Sequence, residues 1–312
     1  MPKQNRYLVC ICTRNREDSL VRLLKSLENT KYEEIQIIIV DSSFPEARYR
    51  SFDPSSHITQ INPIQRVQTT KGLPGARNLA IAQIGSEEFV VFLDDDVTVP
   101  QDFFVKLNDY FSFNPRIHAL GVRIVNQYKT QTGIARRFLA ARKVRHFGTV
   151  TRSADNIWVP DEQFGEISVE WLPGCCMVFN KEVFQELRFN ELLERGPTGG
   201  YALGEDVDFT YSCSRKFKIA ATDSITIIHH FEKSSRDDAN SMSIASGMFK
   251  AHLKNTYPAS FSDFRIISSQ IIKYAWVYRG YRLIKILSLI ASFSLSYIKE
   301  RAVKSYSSKD ER

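Results

Sequence analysis

The sequence predicts an α/β protein built around a doubly wound, mostly parallel β-sheet. Short apolar runs rich in β-branched residues alternate with segments whose apolar residues recur at helical spacing. The runs are almost continuously apolar, as expected of strands that are covered on both faces. Polar clusters follow several of the strands, where open parallel sheets collect ligand-binding groups. With 312 residues, 43% of them hydrophobic, the chain is long enough to bury a substantial core.

The first half begins with a strand, a helix and a second strand. Residues 7–12 (YLVCIC) and 35–40 (IQIIIV) read as strands, and the second run leads directly into Asp41. A further strand is expected around Val67, and a helix near Gly75 follows it. In the segment between the first two strands, the apolar residues that share one helical face are Leu20, Leu23, Leu24 and Leu27.

Three consecutive carboxylates follow the next predicted strand, FVVFL at residues 89–93. Acidic side chains in a row repel one another unless something positive is bound beside them. Asp94 and Asp96 stand two residues apart, so on an extended segment they point the same way and could share one hard cation. A solvated acidic turn or a helix N-terminus is the alternative interpretation of the triplet.

The second half is less regular. The sequence predicts a helix from Phe103 to Phe111, a strand over 119–125, a strand over 167–171, and a short helix over 181–187. Another helix is expected to begin at the acidic segment 205–208. Because Asp is favoured at helix N-termini, capping is an alternative explanation for these acids.

Composition narrows the class of protein. The net charge of +7 would suit a nucleic-acid partner, but the chain carries no recognised nucleic-acid motif and none is predicted. Residues 1–15 lack the pattern of a signal peptide, which predicts a cytoplasmic protein. The five cysteines are odd in number and stand mostly in apolar segments, as expected of reduced thiols.

Residues 261–296 predict a basic, amphipathic helical region. The stretch 283–295 is mostly apolar but contains Lys285, and it falls short of the roughly 20 residues that cross a bilayer. We interpret the region as a membrane-surface element, with a helical subdomain or a dimer contact as the alternative. The apolar and aromatic residues that recur at three- and four-residue steps are Ile267, Ile271, Tyr274, Tyr278 and Tyr281.

Six motifs, in order, resemble the inverting family 2 glycosyltransferases of the GT-A fold. They are TRNR, VDSS, KGLPGARN, FLDDDV, WLPGCCMVF and GEDVDF, and the resemblance covers roughly residues 7–230. It implies a GT-A type sheet, a nucleotide-sugar donor, a divalent cation (Mg²⁺ or Mn²⁺) at the DxD element, and a carboxylate base in the ED motif.

The resemblance also implies roles for individual residues. Arg77 would contact the diphosphate or orient the metal carboxylates, or else form only a structural ion pair with them. Together with Asn78 of the same signature, the residues expected on the donor side are Thr13, Arg16, Asp41, Gly72, Arg77, Asp94 and Asp95.

The metal ligands implied are Asp94, Asp96 and one histidine of the pair 229–230, with His229 preferred. Either histidine could instead be a core or exposed residue. Asp206 matches the catalytic base. The residues expected on the acceptor side are Trp171, for which core packing is an equally good explanation, Gly174, Glu205 and Asp208.

We therefore expect a catalytic domain over residues 1–232 and a helical, basic region over 233–312. The nucleotide-sugar side would occupy about 1–125 and the acceptor side about 126–232. The donor would be UDP- or dTDP-linked, and the acceptor a glycan or a lipid-linked sugar at the inner face of the cell membrane. A homo-oligomer is compatible with the sequence. The alternatives are a nucleotidyltransferase and a non-catalytic, membrane-associated scaffold of the same fold.

Overall fold

The protein divides into two compact units. The computed structural model describes residues 4–43, 64–125, 147–159, 164–194, 204–230, 239–277 and 283–307. The first unit takes in the described parts of Met1–Tyr128, Trp158–Glu191 and Asp206–Glu232. The second takes in those of Lys129–Ile157, Leu192–Glu205 and Lys233–Arg312. The domain boundary that we expect at residues 232 and 233 stays a prediction.

Strands and helices alternate through the first half of the chain, as the sequence predicts. The strands are β1 (Tyr7–Thr13), β2 (Ile35–Asp41), β3 (Ile64–Gln68), β4 (Phe89–Asp94), β5 (Val97–Thr98), β6 (Ala119–Val125), β7 (Thr149–Val150), β8 (Asn156–Ile157), β9 (Glu166–Ser168), β10 (Cys176–Asn180) and β11 (Ile219–His229). The α-helices are α1 (Glu17–Glu28), α2 (Leu73–Ile81), α3 (Phe103–Phe113), α4 (Val183–Glu186), α5 (Glu205–Ser214), α6 (Ala239–Thr256), α7 (Asp263–Val277) and α8 (Leu283–Ser307).

The central sheet has the strand order β3-β2-β1-β4-β10-β6-β11-β5, with β9 paired to β11. Strands β3, β2, β1 and β4 run parallel, and so do β6 and β11. Strand β10 is antiparallel to both β4 and β6, between which it lies. The predicted α/β class with a mostly parallel sheet is confirmed.

Each face of this sheet carries its own apolar core, because alternate side chains of a strand point to opposite faces. Along β1, Tyr7, Val9 and Ile11 join one core, which includes residues of α1 and α3. Leu8 and Cys10 join the other, which includes residues of α2 and α5. Helices on both faces explain why β1, β2 and β4 are almost continuously apolar.

Several predicted elements differ from the structure by one to three residues at an end; α3, for example, continues to Phe113 instead of ending at Phe111. Helix α2 begins at Leu73, two residues before the expected start, because Gly72 is extended at the N-cap and Pro74 fits the first helical turn. Strand β9 ends at Ser168, so Trp171 lies beyond it.

The second unit contains the β7–β8 hairpin and the helices α6, α7 and α8. Helix α8 packs closely on α6: Ser243 Oγ donates to Leu289 O at 2.7 Å, and a Cβ at Gly247 would lie 2.6 Å from Phe293 O. In α7, Tyr274 is buried and its hydroxyl donates to Ser243 Oγ at 2.7 Å. Tyr278 and Tyr281 of the predicted amphipathic pattern lie outside the described residues.

Within the described residues, none of the helices combines the length and the apolar character that crossing a membrane requires.

Candidate active site

The parallel register brings the carboxyl ends of three strands to one edge of the sheet. Thr13 at the end of β1 pairs with Asp41 at the end of β2. On the other side of β1, Cys12 pairs with Asp94, the last residue of β4. The chain then turns through Asp95 and Asp96 into the short strand β5. These polar strand ends therefore meet, as the sequence predicts.

Asp95 is buried and is held by the residues that follow β1. Thr13 Oγ1 donates to Asp95 Oδ2 at 2.6 Å, and Arg16 Nη1 lies 3.1 Å from Asp95 Oδ1. The same Arg16 nitrogen lies 3.0 Å from Asp96 Oδ2. The loop after β1 thus supplies both a hydroxyl and a guanidinium group to the acidic turn.

The structure distinguishes the two histidines at the end of β11. Strand β11 is antiparallel to β5, with His229 opposite Val97. His229 Nε2 donates to Asp96 Oδ1 at 3.1 Å, whereas His230 Nε2 lies 2.9 Å from Thr98 Oγ1. His229 therefore lies with the acidic turn and His230 with strand β5.

One carboxylate oxygen from Asp94, one from Asp96 and a ring nitrogen of His229 all lie within 4.8 Å of one another. Two carboxylates and an imidazole are a donor set that suits Mn²⁺, and the carboxylates suit Mg²⁺. Within the described residues, Arg16 pairs with Asp95 and Asp96, and Arg77 lies beside Asp94. The residues present therefore fit a divalent cation.

The electrostatics of the acidic turn also fit a bound cation. Burial raises the pKa of Asp94 to about 7; Arg77 opposes the rise, while Asp96 and Asp95 add to it. The Asp94 side chain keeps 36% of its surface exposed, so solvent moderates this effect. Burial alone would also raise the pKa of Asp96, but the hydrogen bond from His229 and the charge of Arg16 bring this pKa below its usual value. Asp94 is thus the carboxylate that most lacks a compensating positive charge.

Arg77 is a buried cation at the centre of the site. Its side chain is 3% exposed, and its Cζ lies 5.2 Å from the centre of the Phe189 ring. Its Nη2 lies 3.7 Å from Asp94 Oδ1 and donates to Gly174 O at 3.3 Å. The planar guanidinium therefore stacks on an aromatic ring while its edge faces the acidic turn.

Asn78, next to Arg77, holds that aromatic ring in place. Its Nδ2 donates to Phe189 O at 2.9 Å, and its Oδ1 accepts from Phe189 N at 2.9 Å. The side-chain amide thus pairs with the backbone of one residue in both directions. Asn78 acts on the site through Phe189, whose ring packs on Arg77.

Asp206, near the start of α5, is oriented by two backbone N–H groups. Gly174 N donates to Asp206 Oδ2 at 2.9 Å, and Val207 N donates to Asp206 Oδ1 at 2.8 Å. The bond from Val207 is local, between adjacent residues of the first turn of α5, and it is not the i to i+2 or i+3 bond of an N-cap. The bond from Gly174 is long-range, and Gly174 O also accepts from Arg77. Gly174 therefore links Asp206 to the guanidinium beside Asp94.

Asp41 is buried at the end of β2 and has a partner that the sequence argument missed. Arg66 Nη2 lies 2.5 Å from Asp41 Oδ2, and Ser43 N donates to Asp41 Oδ1 at 2.8 Å. The signal was available in the pattern, because Arg66 pairs with Ile39 in the parallel ladder and so lies on the same face as Asp41. Phe189 had no such signal, since it lies in irregular structure.

The structure does not bring every predicted residue into these contacts. Trp171 is 5% exposed and packs edge-on against Trp158, with 5.3 Å between the ring centroids, as the core-packing explanation predicts. Gly72 O accepts the Ala76 N–H at the start of α2. Glu205 and Asp208 are buried on α5. The functional roles expected for these four residues stay predictions: Trp171, Gly72, Glu205 and Asp208.

Comparison with known proteins identifies a sequence family. Residues 8–188, more than half of the chain, match the sequence model of the family described as "Glycosyl transferase family 2". No similar sequence was found among the curated proteins.

Solved glycosyltransferase structures share the fold. The structure of TarS from S. aureus superposes with a TM-score of 0.52 and 15% identity, covering 89% of this chain and 44% of that one. A mannosyltransferase from Pyrobaculum calidifontis, in complex with GDP-Man and Mn²⁺, gives a TM-score of 0.57 and 13% identity over 96% of this chain and 88% of its own. GalNAc-T7 with UDP, GalNAc and Mn²⁺ superposes with a TM-score of 0.58 and 13% identity, covering 84% of this chain and 53% of that one. The chain thus spans less than half the length of full TarS, and these likenesses establish a GT-A fold.

Proposed function

The chain belongs to glycosyl transferase family 2, so it is a glycosyltransferase, and we propose that it transfers a sugar from a nucleotide-diphosphate donor to an acceptor hydroxyl with inversion at the anomeric carbon. The observation that carries this proposal is the connection between the acidic turn and Asp206, which consists of two hydrogen bonds of Gly174 and one ion pair of Arg77. Gly174 joins the two, because it donates to Asp206 and accepts from Arg77, which faces Asp94. The diphosphate would then leave at the acidic turn, and the acceptor hydroxyl would lose its proton nearby at Asp206.

The donor's nucleotide lies, in this proposal, over the carboxyl ends of β1 and β2. Asp41 is a buried carboxylate at that edge, and Ser43 and Arg66 fix its orientation. An acceptor-only group of this kind suits the imide N–H of uracil or thymine. We therefore favour a UDP- or dTDP-linked sugar. Thr13, Arg16 and Asp95 line the same edge and would contact the ribose and diphosphate.

Asp94, Asp96 and His229 would hold a divalent metal, Mg²⁺ or Mn²⁺. Their three ligand atoms lie within 4.8 Å of one another, which supports this assignment. A bound cation would stabilise the negative charge that develops on the departing diphosphate. Arg77 supplies a fixed positive charge beside Asp94, and its stacking on Phe189 keeps the guanidinium oriented.

Asp206 would act as the general base. As the acceptor oxygen bonds to the anomeric carbon, the Asp206 carboxylate takes the hydroxyl proton, and the bond from that carbon to the diphosphate oxygen breaks. Two backbone N–H groups already orient this carboxylate. Attack opposite the leaving group in one displacement inverts the anomeric configuration.

The acceptor side would be formed by Trp171, Gly174, Glu205 and Asp208, and the acceptor would be a glycan or a lipid-linked sugar. We infer action in the cytoplasm at the inner face of the membrane. None of the five cysteines forms a disulfide bond, which supports a reducing compartment. The basic, apolar character of α7 and α8 supports proximity to a membrane.

Replacement of Asp206 by Asn tests the base assignment. The amide keeps the shape of the side chain but removes the base, so we expect sugar transfer to fall about 10²- to 10⁴-fold. Donor binding should stay near the wild-type value, because the donor contacts lie at the other strand ends. Release of nucleoside diphosphate from a panel of nucleotide sugars measures the first quantity, and calorimetric titration the second.

The matched control is Asp102→Asn, which changes a half-exposed carboxylate of the same unit and should leave both quantities unchanged. Full activity of Asp206→Asn would exclude Asp206 as the base. Binding of nucleotide sugar without any transfer in the wild type would favour the non-catalytic scaffold. A product with the anomeric configuration of the donor would contradict inversion.

A further inference from the structure

Helix α7 carries an exposed apolar stripe in addition to its buried face. Phe264, Ile271 and Ile272 are 81%, 41% and 49% exposed. At 100° per residue these side chains and that of Ala275, which is also exposed, fall within about 100° around the helix. Ile266 and Gln270 are buried and lie on the opposite side. The exposed stripe is therefore separate from the surface that packs inside the second unit.

Helix α8 repeats this arrangement. Leu287, Leu295 and Ile298 are each more than half exposed, and Ala291 on the same side is exposed as well. These positions fall within about 80° around the helix. Among the α8 side chains that the structure describes, the buried ones face the other way: they are Leu289, Phe293 and Tyr297.

Positive charge borders both stripes. The exposed Arg265 follows Phe264 in α7, and the exposed Lys299 follows Ile298 in α8. The two helices carry six Lys and Arg residues against two acids, Asp263 and Glu300. Asp263 is already paired, since it lies 3.0 Å from Arg301 Nε and accepts the Tyr297 hydroxyl. The outer faces of α7 and α8 are therefore apolar and cationic.

We propose that these outer faces of α7 and α8 bind the surface of an anionic lipid bilayer. The apolar stripes would enter the boundary between headgroups and acyl chains, and Arg265 and Lys299 would lie among the headgroup phosphates. Long basic side chains reach the headgroups while their stems stay along the apolar surface. The helices lie on the bilayer rather than cross it, since no helix of the described residues is long and apolar enough to span one.

Charge favours a lipid surface over a second copy of the chain. A two-fold symmetric contact places each face against itself, so Arg265 and Lys299 would meet further cations. An anionic bilayer supplies the opposite charge over the whole face. This inference does not depend on the proposed catalytic mechanism, because its residues all belong to the second unit.

Flotation with lipid vesicles tests the proposal on the full chain. We expect binding to vesicles of phosphatidylcholine and phosphatidylglycerol, much weaker binding to phosphatidylcholine alone, and weakening with added salt. Arg265→Gln and Lys299→Gln should each weaken binding about fivefold. The double variant Leu295→Ser with Ile298→Ser should weaken it about tenfold or more.

Two surface variants of the first unit are the controls: Phe113→Ser removes an 84% exposed aromatic ring, and Lys25→Gln an exposed cation. Both should bind vesicles like the wild type, and circular dichroism should show all variants folded. Equal binding of the wild type to neutral and anionic vesicles would overturn the proposal, as would unchanged binding of the α8 double variant. A lipid-free oligomer that dissociates in that double variant, measured by light scattering, would assign the face to a second copy instead.

Discussion

At the scale of single residues, Gly174 holds the candidate site together. Its N–H donates to Asp206 and its carbonyl accepts from Arg77, so both of its backbone polar groups are used within the site. A side chain would fit there only if a neighbouring group shifted by a few tenths of an ångström. A Cβ on Gly174 would lie 3.0 Å from Arg77 Nη2 and 3.3 Å from Asp206 Oδ2.

Gly174→Ala should therefore displace either the guanidinium or the carboxylate. Because a small misplacement of a catalytic group is costly, we expect the transfer rate to fall roughly 10- to 100-fold. The free energy of unfolding should change by only about 1 kcal/mol, since no cavity or unpaired charge is created. Steady-state kinetics and urea denaturation measure the two effects.

Gly85→Ala is the matched control. A Cβ at Gly85 would meet only Glu87 Oε2, at the ordinary contact distance of 3.5 Å, so activity should be unchanged. Wild-type activity in Gly174→Ala would show that the link through Gly174 does not position the reacting groups.

The residues that sequence reasoning brings together are those at strand ends. Asp94, Asp96 and His229 lie together because Asp94 ends β4, Asp96 precedes β5, and His229 pairs with Val97 of β5 at the end of β11. The preference for His229 over His230 beside the acidic turn rested on the resemblance, and the β5–β11 register supplies its geometry. Contacts such as Phe189 on Arg77 depend on the path of irregular segments, which no periodicity encodes.

At the scale of elements, the sequence patterns predict the sheet better than its edges. Apolar runs locate β1, β2 and β4 to within a residue or two, because both faces of these strands are buried. Strand β9 ends three residues before the predicted end, and Trp171 packs against Trp158 beyond it. Aromatic burial and strand pairing give the same apolar pattern, so the pattern alone does not separate them.

The β7–β8 hairpin is joined to helix α6 by an ion pair with a measurable pH signature. Lys250 Nζ lies 2.6 Å from Asp155 Oδ1, and Ser153 and Ser269 donate to Asp155 Oδ2. Burial alone would raise the pKa of Asp155, but Lys250 and the two hydroxyl groups bring it to about 2. Lys250 and the two hydroxyl groups therefore keep Asp155 ionised, although burial disfavours its charged form.

Because this folded-state pKa lies below the unfolded value of about 3.9, the stabilisation is present above pH 4 and is lost as pH falls towards 2. We expect the ionised Asp155 to contribute about 2 kcal/mol to the free energy of unfolding. Asp155→Asn should remove that acid-dependent part and also destabilise the unit at pH 7, since Lys250 loses its buried partner. Urea denaturation between pH 2 and pH 7 measures both effects.

The control variant Asp102→Asn should show neither change. A pH profile of Asp155→Asn identical to that of the wild type would rule out this stabilising role.

At the scale of the whole molecule, the two units divide the proposed tasks. The first holds the acidic turn, Arg77 and Asp206, and the second carries the exposed stripes of α7 and α8. Family membership and fold follow from the first unit, whose residues include most of the matched segment. Donor, acceptor and membrane contacts depend on surfaces that vary independently of the fold.

The central claim is a metal-dependent nucleotide-diphosphate site at the acidic turn, and thermal unfolding tests it most directly. The midpoint should be measured with UDP, dTDP, GDP and CDP, each with Mn²⁺ and with excess chelator. A ligand that binds only the folded state, present at about 100 times its Kd, stabilises by about 2.7 kcal/mol.

We predict that UDP or dTDP raises the midpoint by several degrees with Mn²⁺, that chelator abolishes the rise, and that Asp96→Asn loses it. A rise of the same size in chelator, or one retained in Asp96→Asn, would contradict a metal site formed by Asp94, Asp96 and His229.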